Sequence, residues 1–290
     1  MIPMKLYPFL VSVAMLPAFA APGAVAQNAP AEAQQAPRQR DPAEAAEYAN
    51  ARRVADPARR AEALEAFVKR FPNSDTKVDA TEFAMLAYQQ AGNASRSFEM
   101  AQRVIESEPQ RVRALSVYVA QARAQGDLGP DNAREYAMQG LQMLNSWTKP
   151  ADLTDAEFAK LQADMAATFN SSVAYFAMVN NDLSTARIYF QQAILFNPQS
   201  AEDTFSLGLV DVENDPVDAV GFWYIARAIN LAKASKSGSE NLIINYGRLR
   251  YAQFHGKLEG WTEIVKNAAN QTTLPDEFTV APSGAATDNP

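Results

Sequence analysis

From position 41 to 270 the chain is punctuated at short intervals by helix starts and helix stops, with almost no strand signal between them. Asp41-Pro42, Asp56-Pro57 and Asp215-Pro216 each place a carboxylate before a proline. Such an acid accepts a hydrogen bond from a free backbone N–H at a helix start, and proline there has no N–H to waste. Thr154 and Glu157 have the spacing of a capping box. Gly92, Gly126 and Gly256 follow helical patterns and mark their ends. Alternating runs rich in Val, Ile and Thr are missing, while Ala, Gln, Glu and Arg abound. These marks predict an all-α chain of about twelve helices. The expected spans are 42–54, 57–70, 75–91, 94–107, 110–125, 130–145, 155–180, 182–196, 200–213, 216–234, 239–255 and 257–269. The longest is a candidate for a break at Asn170-Ser171-Ser172. Connections this short make neighbours antiparallel, so the layout is a chain of helical hairpins.

Both ends read differently. Residues 1–26 resemble a secretory signal: Lys5 is the only charge, Leu6 to Ala20 is apolar, and Ala24-Val25-Ala26 fits a cleavage site. The apolar run is short for a membrane span of about 20 residues, and Pro8, Pro17 and Pro22 interrupt it. A periplasmic or secreted protein, cleaved after Ala26 and without stable membrane insertion, is the expectation. An uncleaved anchor is the alternative. Cleavage leaves 264 residues with a formal charge of −8. Residues 27–40 are rich in Ala, Gln and Pro and carry no large apolar side chain, which predicts a flexible linker. Residues 271–290 read as a disordered tail, although Leu274, Phe278 and Val280 could fold back on the last helix.

Composition removes several functions. The chain has no Cys, so it has no disulfides, thiolate metal sites or Cys nucleophiles. Its one histidine, His255, excludes any site needing two imidazoles. A net charge of −7 argues against nucleic-acid binding, which runs on Lys and Arg neutralising phosphates.

The motifs that could carry chemistry each have a plainer reading. His255, beside Gly256 at a helix end, could be a general base, but a histidine there also suits the helix C-terminus. Asp211, Glu213, Asp215 and Asp218 could gather calcium, but the run lacks the glycine of a calcium loop. A solvated turn is the expectation. Ser74-x-x-Lys77 and Ser146-x-x-Lys149 match an acyl-transfer pattern without its companion motifs. No phosphate-binding glycine loop or zinc-binding helix motif is present. No cofactor and no catalytic residue is therefore expected.

Internal repetition supplies the functional reading. Ala186, Phe190, Ala193 and Pro198 give small residues, an aromatic and a closing proline, and Leu207-Gly208 follows. Tyr88, Gly92 and Pro109 fit the same frame. Pro72 and Pro109 lie 37 residues apart, against a period of about 34. On these residues the segment 41–270 resembles tetratricopeptide-repeat proteins of the exported bacterial type. His255-Gly256 through Gly260-Trp261 is similar to the closing hairpin of some of them. The resemblance implies a right-handed superhelical solenoid of about six hairpins. An irregular helical bundle is the alternative. It also implies a non-enzymatic scaffold or adaptor that binds a protein or peptide through its concave face. The first helices of the hairpins then offer Tyr175, Met178, Phe205, Leu209, Val212, Arg248 and Tyr251, with Arg113 and Arg123 in the N-terminal half. Apolar residues at helical spacing also pack as core, and that reading competes with the first. An exported enzyme using carboxylates and an anchored component of an envelope assembly are the remaining alternatives.

Overall fold

A computed structural model of the chain describes residues 42–126, 132–151, 153–271 and 273–284. The signal-like segment, the linker and Asp41 lie outside the described residues, as does the loop at 127–131. The described residues are helical, with twelve helices and no strand. They are α1 (Pro42–Arg52), α2 (Pro57–Arg70), α3 (Lys77–Gln90), α4 (Ala94–Ser107), α5 (Val112–Ala124) and α6 (Ala133–Leu144). There follow α7 (Asp155–Val179), α8 (Leu183–Phe196), α9 (Ala201–Glu213), α10 (Gly221–Ala234), α11 (Glu240–His255) and α12 (Trp261–Asn270).

Local chemistry accounts for most of these boundaries. Asp56 accepts from the Arg59 N–H at 2.8 Å, and Pro57 opens α2. Thr154 and Glu157 form the reciprocal capping box, with Glu157 accepting from the Thr154 N–H at 2.9 Å. Gly256 closes α11 at φ +87°, a backbone that disfavours any residue with a Cβ.

Two expectations fail. The first is the start of α10 at Asp215-Pro216. The helix begins at Gly221 instead, and the Asp218 carboxylate accepts from the Val220 N–H at 3.0 Å in the preceding turn. The second is a break in α7 at Asn170-Ser171-Ser172. The helix runs on because each serine finds a partner without opening the backbone. Ser172 donates to the Thr168 carbonyl at 3.1 Å, and Ser171 donates to Asp203 on α9 at 3.2 Å.

The chain divides into two compact units, with the boundary inside α5 between Val117 and Tyr118. In the first, α2 packs on α1 and α3, and α3 packs on α4. Leu64, Phe67, Met85 and Met100 are almost fully buried between them. In the second unit, consecutive helices from α6 to α11 pack on one another, and α10 also packs on α12. One core joins Tyr175, Met178, Phe190, Leu207 and Val210, and another joins Phe222, Trp223, Ile225, Tyr251 and Trp261. Small residues set the closest approaches. A Cβ on Gly140 would fall 2.2 Å from the Phe169 ring, and one on Gly208 would fall 2.7 Å from the Gly221 carbonyl oxygen. Ala186, Phe190 and Ala193 are all fully buried, as their spacing on one helix face predicts.

The final segment differs from a disordered tail where it is described. Leu274, Phe278 and Val280 pack against the second core, and the Phe278 and Trp223 ring centroids are 5.7 Å apart. Three apolar side chains at short intervals have a surface to cover, which a purely polar tail would not.

Candidate functional site

An open slot in the second unit lies where α10, α11 and the start of α12 meet. Two of the helices supply it by the same i, i+4 rule. Ile229 and Lys233 stand one turn apart on α10, and Ile244 and Arg248 one turn apart on α11. Leu258 precedes α12, and Trp261, Thr262 and Val265 continue along it. Together these eight side chains line a slot of about 330 Å³.

Glycine makes the slot possible. A Cβ at Gly247 would fall 2.7 Å from the Trp261 ring and 2.8 Å from Ile225. Without one, α12 leans its indole against the α11 backbone. The far side of α12 is tied to α10 by Asn230, which donates to the Val265 carbonyl at 2.8 Å, and by Arg227, which donates to the Ala268 carbonyl at 3.3 Å. The slot therefore has an apolar floor on helices braced by these two hydrogen bonds.

Its cations are different from most others nearby. Lys233 and Arg248 are both exposed, and neither makes an ion pair among the described residues. Arg187 instead faces Asp211 at 2.9 Å and Asp218 at 2.6 Å. Arg250 faces Glu213 at 3.0 Å and donates to the Val212 carbonyl at 2.7 Å. Tyr246 also donates to Glu213, at 2.6 Å. Arg123 is held by Ser171 and lies 3.4 Å from Glu202.

Two carboxyls beside these arginines are strongly perturbed by burial. Asp211 is 1% exposed, and burial pushes its carboxyl up to about 7 against the opposing pull of Arg187. The pair is within ion-pair distance but out of hydrogen-bond alignment, so neither Asp211 oxygen accepts a bond among the described residues. Burial likewise pushes Glu202 up to about 8, with Arg123 opposing it. In the first unit, Glu65 is also driven upward by burial. Hydrogen bonds from Tyr88 and Arg96 outweigh that and hold it below the usual carboxylate range.

The seven residues expected at a binding face separate on inspection. Tyr175 and Met178 are buried in one core, and Val212 and Tyr251 in the other. Phe205 and Leu209 are half-buried, and Phe205 packs edge-on against Tyr246 at 5.4 Å. Only Arg248 is exposed, and it lines the slot. Four of the seven are therefore not available to a partner, because the apolar stripe is covered by neighbouring helices. Arg123 is drawn into the polar cluster with Ser171 and Glu202 rather than left at a surface.

The remaining candidates resolve in the same way. His255 ends α11, with Nδ1 2.8 Å from the Ala281 carbonyl oxygen and its ring against Tyr251. Asp211, Glu213 and Asp218 are paired to arginines rather than solvated in a turn. The Ser74 hydroxyl bonds to Thr76 and Glu44, and Ser146 donates to the Met143 carbonyl. Lys149 pairs with Asp155. Sequence reasoning missed Lys233, Ile244 and Trp261 as slot residues. The i, i+4 repetition of an isoleucine followed by a cation on α10 and α11 was the available signal.

Comparison with family models finds none that matches this chain, and comparison with curated proteins finds no match.

Proposed function

We propose that this chain is an exported, non-enzymatic scaffold that binds an acidic, apolar segment of another protein in the slot between α10, α11 and α12. One observation carries the reading: two cations with no ion pair among the described residues border an apolar slot in a chain whose net charge is −7. A carboxylate brought to Lys233 or Arg248 gains a partner that the fold does not supply. An apolar side chain entering beside it covers Ile244, Leu258 and Trp261. The most perturbed acids, Asp211 and Glu202, face arginines within the helix packing, which favours a structural role for them over catalysis.

In this reading the hairpins stack as a right-handed superhelical solenoid of the tetratricopeptide type. The packing of most consecutive helices in sequence order, α1 to α4 and α6 to α11, supports it. So do the small residues at close approaches, Gly140, Gly208 and Ala186.

The binding test uses the mature chain 27–290 as bait in the native exported fraction, beside the same chain carrying Lys233→Ala and Arg248→Ala. One protein is expected to be retained by the wild type and depleted about tenfold or more by the double variant, with the loss steepest at low salt. Equal capture by both baits overturns the slot as the binding site. Export has its own check. The intact mass of protein from the exported fraction is expected to begin at Gln27. Retained Met1 would favour an anchored component of an envelope assembly instead.

A further inference from the structure

The helix α8 has two faces with the same spacing of side chains. Ala186, Phe190 and Ala193 lie four and three residues apart, and all are fully buried. Ser184, Ile188, Gln191 and Leu195 repeat at four, three and four residues, two positions along and so about 200° round the helix. All four are exposed. Ile188 is 51% exposed and Leu195 71%, and the exposed Phe196 follows at the helix end. Six large apolar side chains are exposed among the described residues, and α8 supplies these three.

A surface helix ordinarily turns charged residues outward. This one does not. From Leu183 to Ser200 the only charged residue is Arg187, and its guanidinium is taken up by Asp211 and Asp218. The outer face of α8 therefore offers apolar side chains and neutral Gln and Ser. Its spacing is that of the a and d positions of a coiled coil.

Charge argues for what covers such a face. With a net charge of −7, two copies of this chain repel one another over most of their surfaces. They can meet closely only where no carboxylate is brought to the contact, and α8 meets that condition. A basic partner would find no acid on this face, and an acidic partner no free cation. The glutamine amide adds self-complementarity, because it both donates and accepts.

We propose that α8 is a self-association seam, on which a second copy of this chain docks its own α8, antiparallel, about a two-fold axis. Ile188 of each copy then meets Leu195 of the other, and the two Gln191 amides face each other at the axis. Antiparallel pairing also sets opposite helix-dipole ends side by side. One helix per copy makes a small interface, so the association belongs at the weak end of the range. The seam uses no residue of the slot between α10, α11 and α12, and the inference does not depend on that site.

The test is sedimentation of the full chain from about 5 to 500 μM. The wild type is expected to shift from monomer toward dimer across that range. Leu195→Glu is expected to weaken the association at least about tenfold, because it places a carboxylate in the seam. Leu195 is mostly exposed, so the fold is expected to persist, and circular dichroism checks it. Ile188→Lys alone is expected to weaken the association as well. Mixing the Ile188→Lys and Leu195→Glu chains is expected to restore it, because an antiparallel pair sets the lysine of one copy beside the glutamate of the other. The chain has no cysteine, so Gln191→Cys introduces a single thiol. Its oxidation to a disulfide-linked dimer is expected to be at least about tenfold faster than that of Glu62→Cys, an exposed position on α2. A wild type that stays monomeric throughout overturns the proposal. Association undiminished in folded Leu195→Glu places the contact elsewhere and also overturns it. No recovery in the mixture overturns the antiparallel arrangement, and equal oxidation rates overturn Gln191 at the axis.

Discussion

Gly208→Ala is expected to lower the stability of the second unit by about 2–3 kcal/mol, the reverse of the usual result. In an ordinary helix interior, glycine to alanine stabilises by about 1 kcal/mol, because glycine loses more backbone freedom on folding. At Gly208 the new methyl would fall 2.7 Å from the Gly221 carbonyl oxygen and 2.9 Å from the Ile225 backbone nitrogen. Backbone atoms cannot swing aside as a side-chain tip can, so α9 and α10 must separate. Separation exposes Leu207, Val210 and Ile225, which are essentially buried. Gly221→Ala meets the same obstacle from the other side, 2.6 Å from the Gly208 carbonyl oxygen. The two losses are expected to be less than additive, because the first substitution already parts the helices. Gly238→Ala, with nothing within 4 Å, serves as the neutral control. Urea unfolding followed by tryptophan fluorescence measures all four. A stabilised Gly208→Ala would show that the close approach does not hold in solution.

Arg187→Ala is expected to cost up to about 2 kcal/mol more at pH 8.5 than at pH 5. The reason lies in Asp211, which is 1% exposed and has Arg187 at 2.9 Å. At high pH the carboxylate is ionised, and removing the arginine leaves a buried charge without compensation. At low pH Asp211 is neutral, and the arginine keeps only its pair with the partly exposed Asp218 at 2.6 Å among the described residues. The double variant Arg187→Ala/Asp211→Asn is expected to recover most of the loss at pH 8.5. The wild type has a related slope. Burial holds the Asp211 carboxyl up near 7, above the value of about 4 for the unfolded chain. The folded state therefore keeps a proton that the unfolded state releases. The stability this contributes is full below about pH 4 and declines as the pH rises toward 7, by at most about 1.4 kcal/mol per pH unit. Glu202, pushed up to about 8, acts in the same direction. Denaturation midpoints across pH 4–8.5 for the wild type and Asp211→Asn check the sign. A wild-type slope that persists undiminished in Asp211→Asn would assign it to other groups.

Much of the helical layout was legible because its determinants are local. Asp56 and Pro57 open α2 within one turn, Thr154 and Glu157 open α7 within three residues, and Gly256 closes α11 on its own backbone. The start of α10 was not legible. The signal at Asp215-Pro216 was local, but the helix begins at Gly221, where that residue lies against Gly208. The candidate site was legible only in part. Helical spacing identified an apolar face through Tyr175, Met178 and Val212, but spacing is the same whether a helix or a ligand covers it. Arg248 survived because it is exposed. Lys233 and Trp261 joined it from helices whose proximity no local pattern announces.

By itself, then, the sequence determined that the chain is helical, where most of its helices begin and end, and that it has no cysteine chemistry. Those properties follow from capping, propensity and charge, which act over a few residues. Only the tertiary structure decided which apolar faces are closed, which cations find no ion pair among the described residues, and that Phe278 returns to Trp223. Each of these depends on neighbours brought together from distant parts of the chain. Arg187 and Asp211 are 24 residues apart, and Trp223 and Phe278 are 55 residues apart. Burial and pairing at such separations are set by packing, not by the residues on either side.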